Sequence, residues 1–490
     1  MITLTPMPAC DNVGAMSTSE RHAPEPGPIH GWNDDIERLS QGIVDYARDR
    51  LRLDPVPLDR PHSFAELQAQ VGSTITPEGL GGEATLRIFT EILAPACLSI
   101  DHPRYLSFIP CAPTEASMLF DLVVGASSIY GGSWLEGSGA VFAENQALAW
   151  LAELAGLPPG AGGVFVQGGT IGNLSALVAA RHRARTRRAA DAARAGPPER
   201  SQPKWAVAAS SEAHSSIKSA ASVMDVEVIM VDVGEQGRFD GPALDRALSS
   251  LEPGSGLELF AVVASAGTTN LGIVDDLASL AESAARHGAW FHVDGAYGGA
   301  ALAAPSVRAK FAGIEHADSF VVDPHKWLFA PFDCAALVYR DPEEGRAAHA
   351  QHASYLEPLQ ETGNWNPSDF AVQLTRRARG LPFWFSLATF GTAAYSAAIE
   401  RTLAVARHAA RSIAASPRLE LLNEPDLSVV CFRRVGWDRA DYYAWSDRLL
   451  TEGLGFVTPT TVRGEAVARF AVVNPVTTED DIDQLLDTMN

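Results

Sequence analysis

The spacing of apolar positions changes along the chain and divides it into stretches. Residues 1–30 show no period and are rich in Pro, Ser and Gly, which predicts a disordered lead, with Met7 and Met16 as alternative starts. From Asp34 to Arg52 the apolar residues Ile36, Leu39, Ile43, Tyr46 and Ala47 recur at helical spacing, and helical patterns follow near 63–71 and 83–98. Residues 31–104 therefore read as a helical N-terminal segment. Between 105 and 380 short runs rich in Val and Ala take over, at 163–167, 205–209, 226–231, 258–264, 289–293, 318–322 and 334–339. Helical patterns such as 173–193 and 275–287 lie between most of them. Strands alternating with helices predict an α/β fold, its mostly parallel sheet covered on both faces. Beyond 380 the pattern predicts a long helix (386–415), a strand (427–433), a helix (439–453), a strand (466–473) and a last helix (479–488), a smaller α+β domain over 381–490.

Composition narrows the function. A chain of 490 residues is too long for one core. Its net charge of −21 disfavours nucleic acid and anionic membrane surfaces and points to small-molecule work. The Arg/Ala-rich stretch 186–203 is read accordingly as a helix end and an exposed loop. No apolar run approaches the roughly 20 residues of a membrane helix, and the N-terminus lacks a signal pattern. The five cysteines have neither disulfide-framework nor metal-ligand spacing, which predicts a reduced, cytoplasmic setting and no metal site. Arginine supplies nearly all the positive charge. The only lysines are Lys204, Lys218, Lys310 and Lys326, so each is a candidate for a role that needs an amine.

Ligands of parallel sheets bind beyond the carboxyl ends of the strands, so the residues just past each run matter most. Val321-Val322-Asp323-Pro324-His325-Lys326-Trp327 puts an amine at such an end, where it can condense with an aldehyde cofactor; the plain alternative is a surface lysine. Trp290-Phe291-His292-Val293-Asp294-Gly295-Ala296-Tyr297 delivers a carboxylate, either a helix cap or the partner of a buried cation such as a protonated pyridine nitrogen. Gln167-Gly168-Gly169-Thr170-Ile171-Gly172-Asn173 joins a strand to a helix and suits an anion, with Thr170 as a hydroxyl donor. It matches neither the P-loop nor the dinucleotide fingerprint. His214, in Glu212-Ala213-His214-Ser215-Ser216, is either a structural hydrogen-bonder or a flat group on which a ring can stack. Ala264-Ser265-Ala266-Gly267-Thr268-Thr269 offers small residues and hydroxyls. Together they set an anion cradle, a flat stacker, a carboxylate and a lysine on strand ends of one sheet, which fits a phosphorylated pyridine aldehyde.

These motifs, with Ala-His-Ser-Ser at 213–216 and Phe-Asp-Cys at 332–334, resemble the group II pyridoxal 5′-phosphate (PLP) dependent amino acid decarboxylases from about residue 34 to the end. The resemblance implies PLP fold-type I, aspartate aminotransferase-like: a seven-stranded large domain, a small C-terminal domain and an N-terminal helical segment that wraps a partner. It implies a homodimer with shared active sites and a small amino acid substrate. Carried over, Lys326 binds the cofactor aldehyde, Asp294 pairs with the ring nitrogen, and His214 stacks on the ring. Gly169 and Thr170 meet the phosphate, Thr268 lies beside the cofactor, and His325 contacts the phosphate or assists protonation. Tyr355, on a lid over about 345–372, returns a proton after CO2 leaves. Phe108, Ile109, Pro110, Tyr130 and Gly132 fall in the substrate-contacting regions. Gly132 stands where a bulky aromatic is common, which implies a roomier pocket, and Asp323 stands where asparagine is common.

An aromatic L-amino acid is the expected substrate, with aliphatic, histidine or acidic ones as alternatives. An oxygen-dependent aldehyde synthase is a second enzyme reading, disfavoured by Tyr355. A transaminase is a third, needing a small-domain arginine such as Arg433 or Arg469 for the substrate carboxylate. A catalytically silent PLP-fold partner protein is the reading from outside enzymology.

Overall fold

The structure, a computed structural model, describes residues 29–195, 203–234, 237–252, 255–360 and 364–489. The predicted disordered lead falls almost wholly outside the described residues, as does the loop at 196–202. The chain forms two compact units, residues 1–49 with 62–95, and residues 50–61 with 96–490. The first unit carries helices at Phe64–Val71 and Gly82–Ile88 and most of the helix Asp34–Arg50. Ser63 and Glu66 cap the helix Phe64–Val71 reciprocally: the Ser63 N–H donates to Glu66 Oε2 at 2.7 Å and the Glu66 N–H to Ser63 Oγ at 3.2 Å.

The second unit is built on a seven-stranded sheet. Its strands are β1 (Gly162–Val166), β2 (Lys204–Ser210), β3 (Glu227–Val231), β4 (Leu257–Ser265), β5 (Trp290–Asp294), β6 (Ser319–Val322) and β7 (Ala335–Tyr339), in the order β1-β7-β6-β5-β4-β2-β3. Each lies within one residue of the bounds its apolar run predicts. β7 runs antiparallel to both neighbours and the other pairings are parallel. Successive side chains alternate between faces: Val164 and Val166 join the core under the helix Gly169–Ala195, while Phe165 points into the opposite core with Phe291, Val293 and Phe320. β1, β5, β6 and β7 are buried on both faces, which is why they read as continuous apolar runs.

A second sheet of β8 (Leu419–Leu421), β9 (Val429–Arg434), β10 (Thr460–Val462) and β11 (Glu465–Ala471) is antiparallel throughout, in the order β10-β11-β9-β8. The helices Thr392–Ala415, Arg439–Thr451 and Glu479–Asp487 share a core with it through Ala406, Tyr442, Trp445, Leu449, Leu485 and Phe470. One prediction fails here. The single helix expected at 386–415 is two, Leu381–Phe390 and Thr392–Ala415, because Gly391 sits at φ +80° and ends the first with its N–H on the Leu387 carbonyl.

Candidate active site

β6 ends at Val322, Asp323 follows, and Pro324 starts a one-turn helix, Pro324–Trp327. Trp327 anchors that turn: its ring stacks on Tyr297 at 5.3 Å and its indole N–H donates to Thr402 Oγ1 at 2.9 Å. The turn delivers Lys326 to a cleft of about 450 Å³ at the strand ends. Lys326, Asp294, His214, Gly169, Thr170, Thr268, His325, Phe108 and Ile109 all line it. A second cavity of about 500 Å³, bounded by residues 50–56 and Phe390, contains none of the predicted site residues.

Lys326 Nζ lies 2.9 Å from Asp323 Oδ2, which also accepts the Gly169 N–H at 3.3 Å. Asp323, buried and set where the family often has asparagine, thus faces the lysine and the start of the glycine turn. Its Oδ1, like Gln167 Oε1 in the same cleft, is buried without a hydrogen-bond partner. A Cβ on Gly169 would come within 3.0 Å of Ala296 and 3.2 Å of Asp323, so glycine keeps this corner open for a ligand. His325 is pinned to Cys334: its backbone N–H donates to the Cys334 carbonyl at 3.1 Å, and its Nδ1 lies 2.7 Å from that carbonyl and 3.1 Å from the Cys334 N–H. Burial pushes the His325 pKa down, only partly offset by Asp323.

Asp294 ends β5. Its Oδ1 accepts the Ala296 N–H at 3.1 Å and its Oδ2 accepts Asn173 Nδ2 at 2.8 Å. The same amide nitrogen donates to Ser216 Oγ at 2.9 Å, and Ser216 Oγ lies 2.8 Å from His214 Nδ1. On its other side Asn173 Oδ1 is 2.9 Å from His292 Nε2. Asn173, Ser216 and His292 were not singled out by sequence reasoning. The available signal was positional: Asn173 lies four residues, about one helical turn, after Gly169, and His292 shares a face of β5 with Asp294 two residues on. A histidine inside an otherwise apolar strand deserved the same scrutiny as the aspartate.

The remaining predicted residues lie elsewhere. Pro110 does not line the cleft. The Tyr130 hydroxyl donates to the Leu374 carbonyl at 3.2 Å, outside the cleft of its own chain. Gly132 does not line the cleft of its own chain, and a Cβ there would meet the ring and hydroxyl of Tyr130. Tyr355 belongs to the turn Ser354–Leu356, and its side chain lies outside the described set. The expected lid at 345–372 is held at both ends. His349 Nε2 donates to the Ser175 carbonyl at 2.9 Å, and Asn366 Oδ1 accepts the Trp134 N–H at 3.0 Å. Neither arginine suggested for a transaminase is available to a substrate. Arg469 spends its guanidinium on the carbonyls of Phe108 (2.6 Å), Thr269 (2.7 Å) and Asn270 (3.1 Å), while Arg433 pairs with Glu465 and Glu420.

An amine, a carboxylate with both oxygens oriented, an imidazole and a glycine-opened helix start within one cleft fit PLP. Comparison with known proteins agrees. The family described as pyridoxal-dependent decarboxylase conserved domain matches residues 81–435. An aromatic-L-amino-acid decarboxylase of Bacillus atrophaeus is 26% identical, over 92% of this chain and 94% of its own length. An L-2,4-diaminobutyrate decarboxylase of Rhizobium meliloti is 32% identical, over 83% of this chain and 82% of its own. The crystal structure of Oryza sativa TDC with PLP and tryptamine superposes with a TM-score of 0.83 at 26% identity, covering 94% of this chain and 99% of that one. The chain therefore belongs to the group II PLP-dependent decarboxylases, and it is an amino acid carboxy-lyase with PLP as its cofactor.

Proposed function

We propose that the substrate is an aromatic L-amino acid (tyrosine, tryptophan, phenylalanine or DOPA), converted to its amine and CO2. The observation that carries this reading is the charge of the cleft. Among the described residues lining it, the only charged groups other than histidine are Lys326, Asp294 and Asp323. All three are engaged at cofactor depth, with Asp323 paired to Lys326 and Asp294 held by Asn173. Within this chain's own lining that leaves no cation for an acidic side chain, and no carboxylate beyond the two cofactor-facing ones for the second ammonium of a diamino acid. The mouth instead presents Phe108 and Phe332, 63% and 55% exposed, beside Ile109.

In this reading Lys326 holds the cofactor through Nζ, Asp294 faces the ring nitrogen, His214 lies on the ring face beside Thr268, and Gly169 and Thr170 take the phosphate. Once bound, the cofactor supplies the electron sink. The chain's own share is to orient the substrate so that its carboxylate bond is the one that breaks, to exclude water, and to return a proton to Cα from the Tyr355 hydroxyl. His325, neutral and oriented by Cys334, assists near Lys326.

Two copies would share the site. Leu119, Leu122, Val123, Leu135 and Phe142 are exposed on the helices Glu115–Ala126 and Trp134–Leu154, an apolar surface suited to a second copy. Tyr130 and Gly132 border it and, lying outside their own cleft, would serve the neighbour's. Residues 31–104 would wrap that neighbour. The protein is assigned to the cytoplasm on its cysteine pattern; among the described residues no helix is long and apolar enough to cross a membrane.

The test is product analysis. Purified protein with PLP is incubated in air with each common L-amino acid, DOPA and L-2,4-diaminobutyrate, and products are read by mass spectrometry. Amine from aromatic substrates alone supports the proposal. Amine from diaminobutyrate, the substrate named for the Rhizobium meliloti relative, overturns the reading of the cleft. Aldehyde with peroxide moves the assignment to an aldehyde synthase. Lys326→Ala is expected to abolish both turnover and the lysine-bound absorbance.

A further inference from the structure

The hydrogen bonds beneath the cofactor cleft run in one direction, and their direction can be deduced. An indole N–H only donates, and Trp290 Nε1 lies 2.8 Å from Ser319 Oγ. The single proton of Ser319 is then left for His292 Nδ1, at 2.8 Å. His292 Nδ1 accepts, so Nε2 carries the ring proton and donates to Asn173 Oδ1 at 2.9 Å. At the far end a carboxylate only accepts, so the Asn173 amide must turn its nitrogen to Asp294 Oδ2, at 2.8 Å. The carboxylate end fixes the amide orientation, and the indole donor at the other end is compatible with it. The second amide hydrogen goes to Ser216 Oγ at 2.9 Å, whose own proton is left for His214 Nδ1 at 2.8 Å.

Asn173, His292, Ser319, Trp290 and Ser216 are each 2% exposed or less, so water cannot stand in for a lost member. Burial also lowers the His292 pKa to about 4, which keeps the ring neutral and its Nδ1 an acceptor.

We propose that Asn173 is a positioning residue that orients two cofactor-facing groups at once, Asp294 directly and His214 through Ser216, and that His292 sets which way its amide faces. The inference rests on the assignment of Asp294 and His214 to the cofactor ring. Asp294 Oδ1 is held by the Ala296 N–H and Oδ2 by Asn173, so the remaining lone pairs of the carboxylate point in a set direction. Without Asn173 the carboxylate keeps its place in the chain and loses that direction. His214 Nδ1 keeps the Ser216 backbone N–H at 3.1 Å, but the Ser216 hydroxyl beside it at 2.8 Å loses the amide that fixes its direction.

The test loads wild type, Asn173→Ser, His292→Leu, His292→Gln and Asp294→Asn with PLP. It measures the PLP dissociation constant, the pH titration of the lysine-bound absorbance, and kcat and KM. His292→Leu removes the donor to Asn173, whereas glutamine places an amide N–H near the Nε2 position. For Asn173→Ser and His292→Leu we expect PLP affinity and kcat each to fall about tenfold or more, with KM little changed and a displaced titration. His292→Gln is expected to stay within a few-fold of wild type. If Asn173→Ser titrates and binds as wild type while Asp294→Asn does not, the relay is wrong and the Asp294 assignment stands. If Asp294→Asn is also unchanged, the assignment has failed and the relay with it. Should Asn173→Ser not fold, equal behaviour of His292→Leu and His292→Gln overturns the proposal.

Discussion

His292 is buried, neutral and two residues from Asp294, and its titration links the site to stability. Its folded pKa lies at about 4, against an ordinary 6.5, with burial as the main cause. The unfolded chain therefore binds its proton more readily than the native one. The stability this creates is fully present above pH 6.5 and is lost as pH falls towards 4, by about 3 kcal/mol if His292 acts alone. His102, also lowered to about 4 by burial, adds to the same window. Urea unfolding at pH 7 and pH 5 is expected to show the loss, and His292→Gln to show less of it. At this scale the sequence was legible where a residue type has one strong use at a strand end. Lys326, Asp294, His214 and Gly169 reach the cleft as their motifs suggested. Asn173, Ser216 and Ser319 were not legible, because serine and asparagine are common fillers and only their mutual distances reveal them.

β1, β5, β6 and β7 of the large sheet were legible because both faces are buried and each run is uninterrupted. β8 and β10 were not: each is three residues long and partly exposed, with too little pattern to separate from loop. The helix break at Gly391 escaped because apolar spacing continues across it, and only the backbone angle marks the stop. Pairing of β1 with β7 shows how tightly an element can depend on one position. Gly163 lies in β1, and a Cβ there would fall on the Leu337 carbonyl of β7. Gly163→Ala must push the two strands apart. It is expected to cost roughly 1–3 kcal/mol, read as a lower thermal unfolding temperature, and to weaken PLP binding through the displaced Gly169 turn.

Across the second unit, the site draws on segments far apart in sequence. Arg469 on β11 alone joins the small sheet to the carbonyls of Phe108 and Thr269, two segments that line the cleft. The apolar surface of Leu119, Leu122 and Val123 was not anticipated as an interface from the sequence, since its helix has apolar residues on both faces. Leu122→Glu is expected to convert a dimer to monomers in sedimentation velocity. It is also expected to lower kcat/KM by about tenfold or more if Tyr130 and Gly132 serve the neighbouring cleft. A change in assembly with full activity retained would show the sites to be independent.

The strand order also sets a schedule. β1 leaves the ribosome before any other strand of its sheet, yet its partner β7 is made last, with residues 167–334 in between. At roughly 5–20 residues per second, that gap is about 10–35 seconds of synthesis. During it the glycine turn exists without the lysine that faces it, and β1, whose one partner is β7, waits with both edges unpaired. Cofactor capture through Lys326 therefore waits until about two thirds of the chain is made, and PLP cannot guide the steps before it. A chain that stalls before β7 leaves an apolar strand with an open edge, the form most exposed to aggregation and to chaperones.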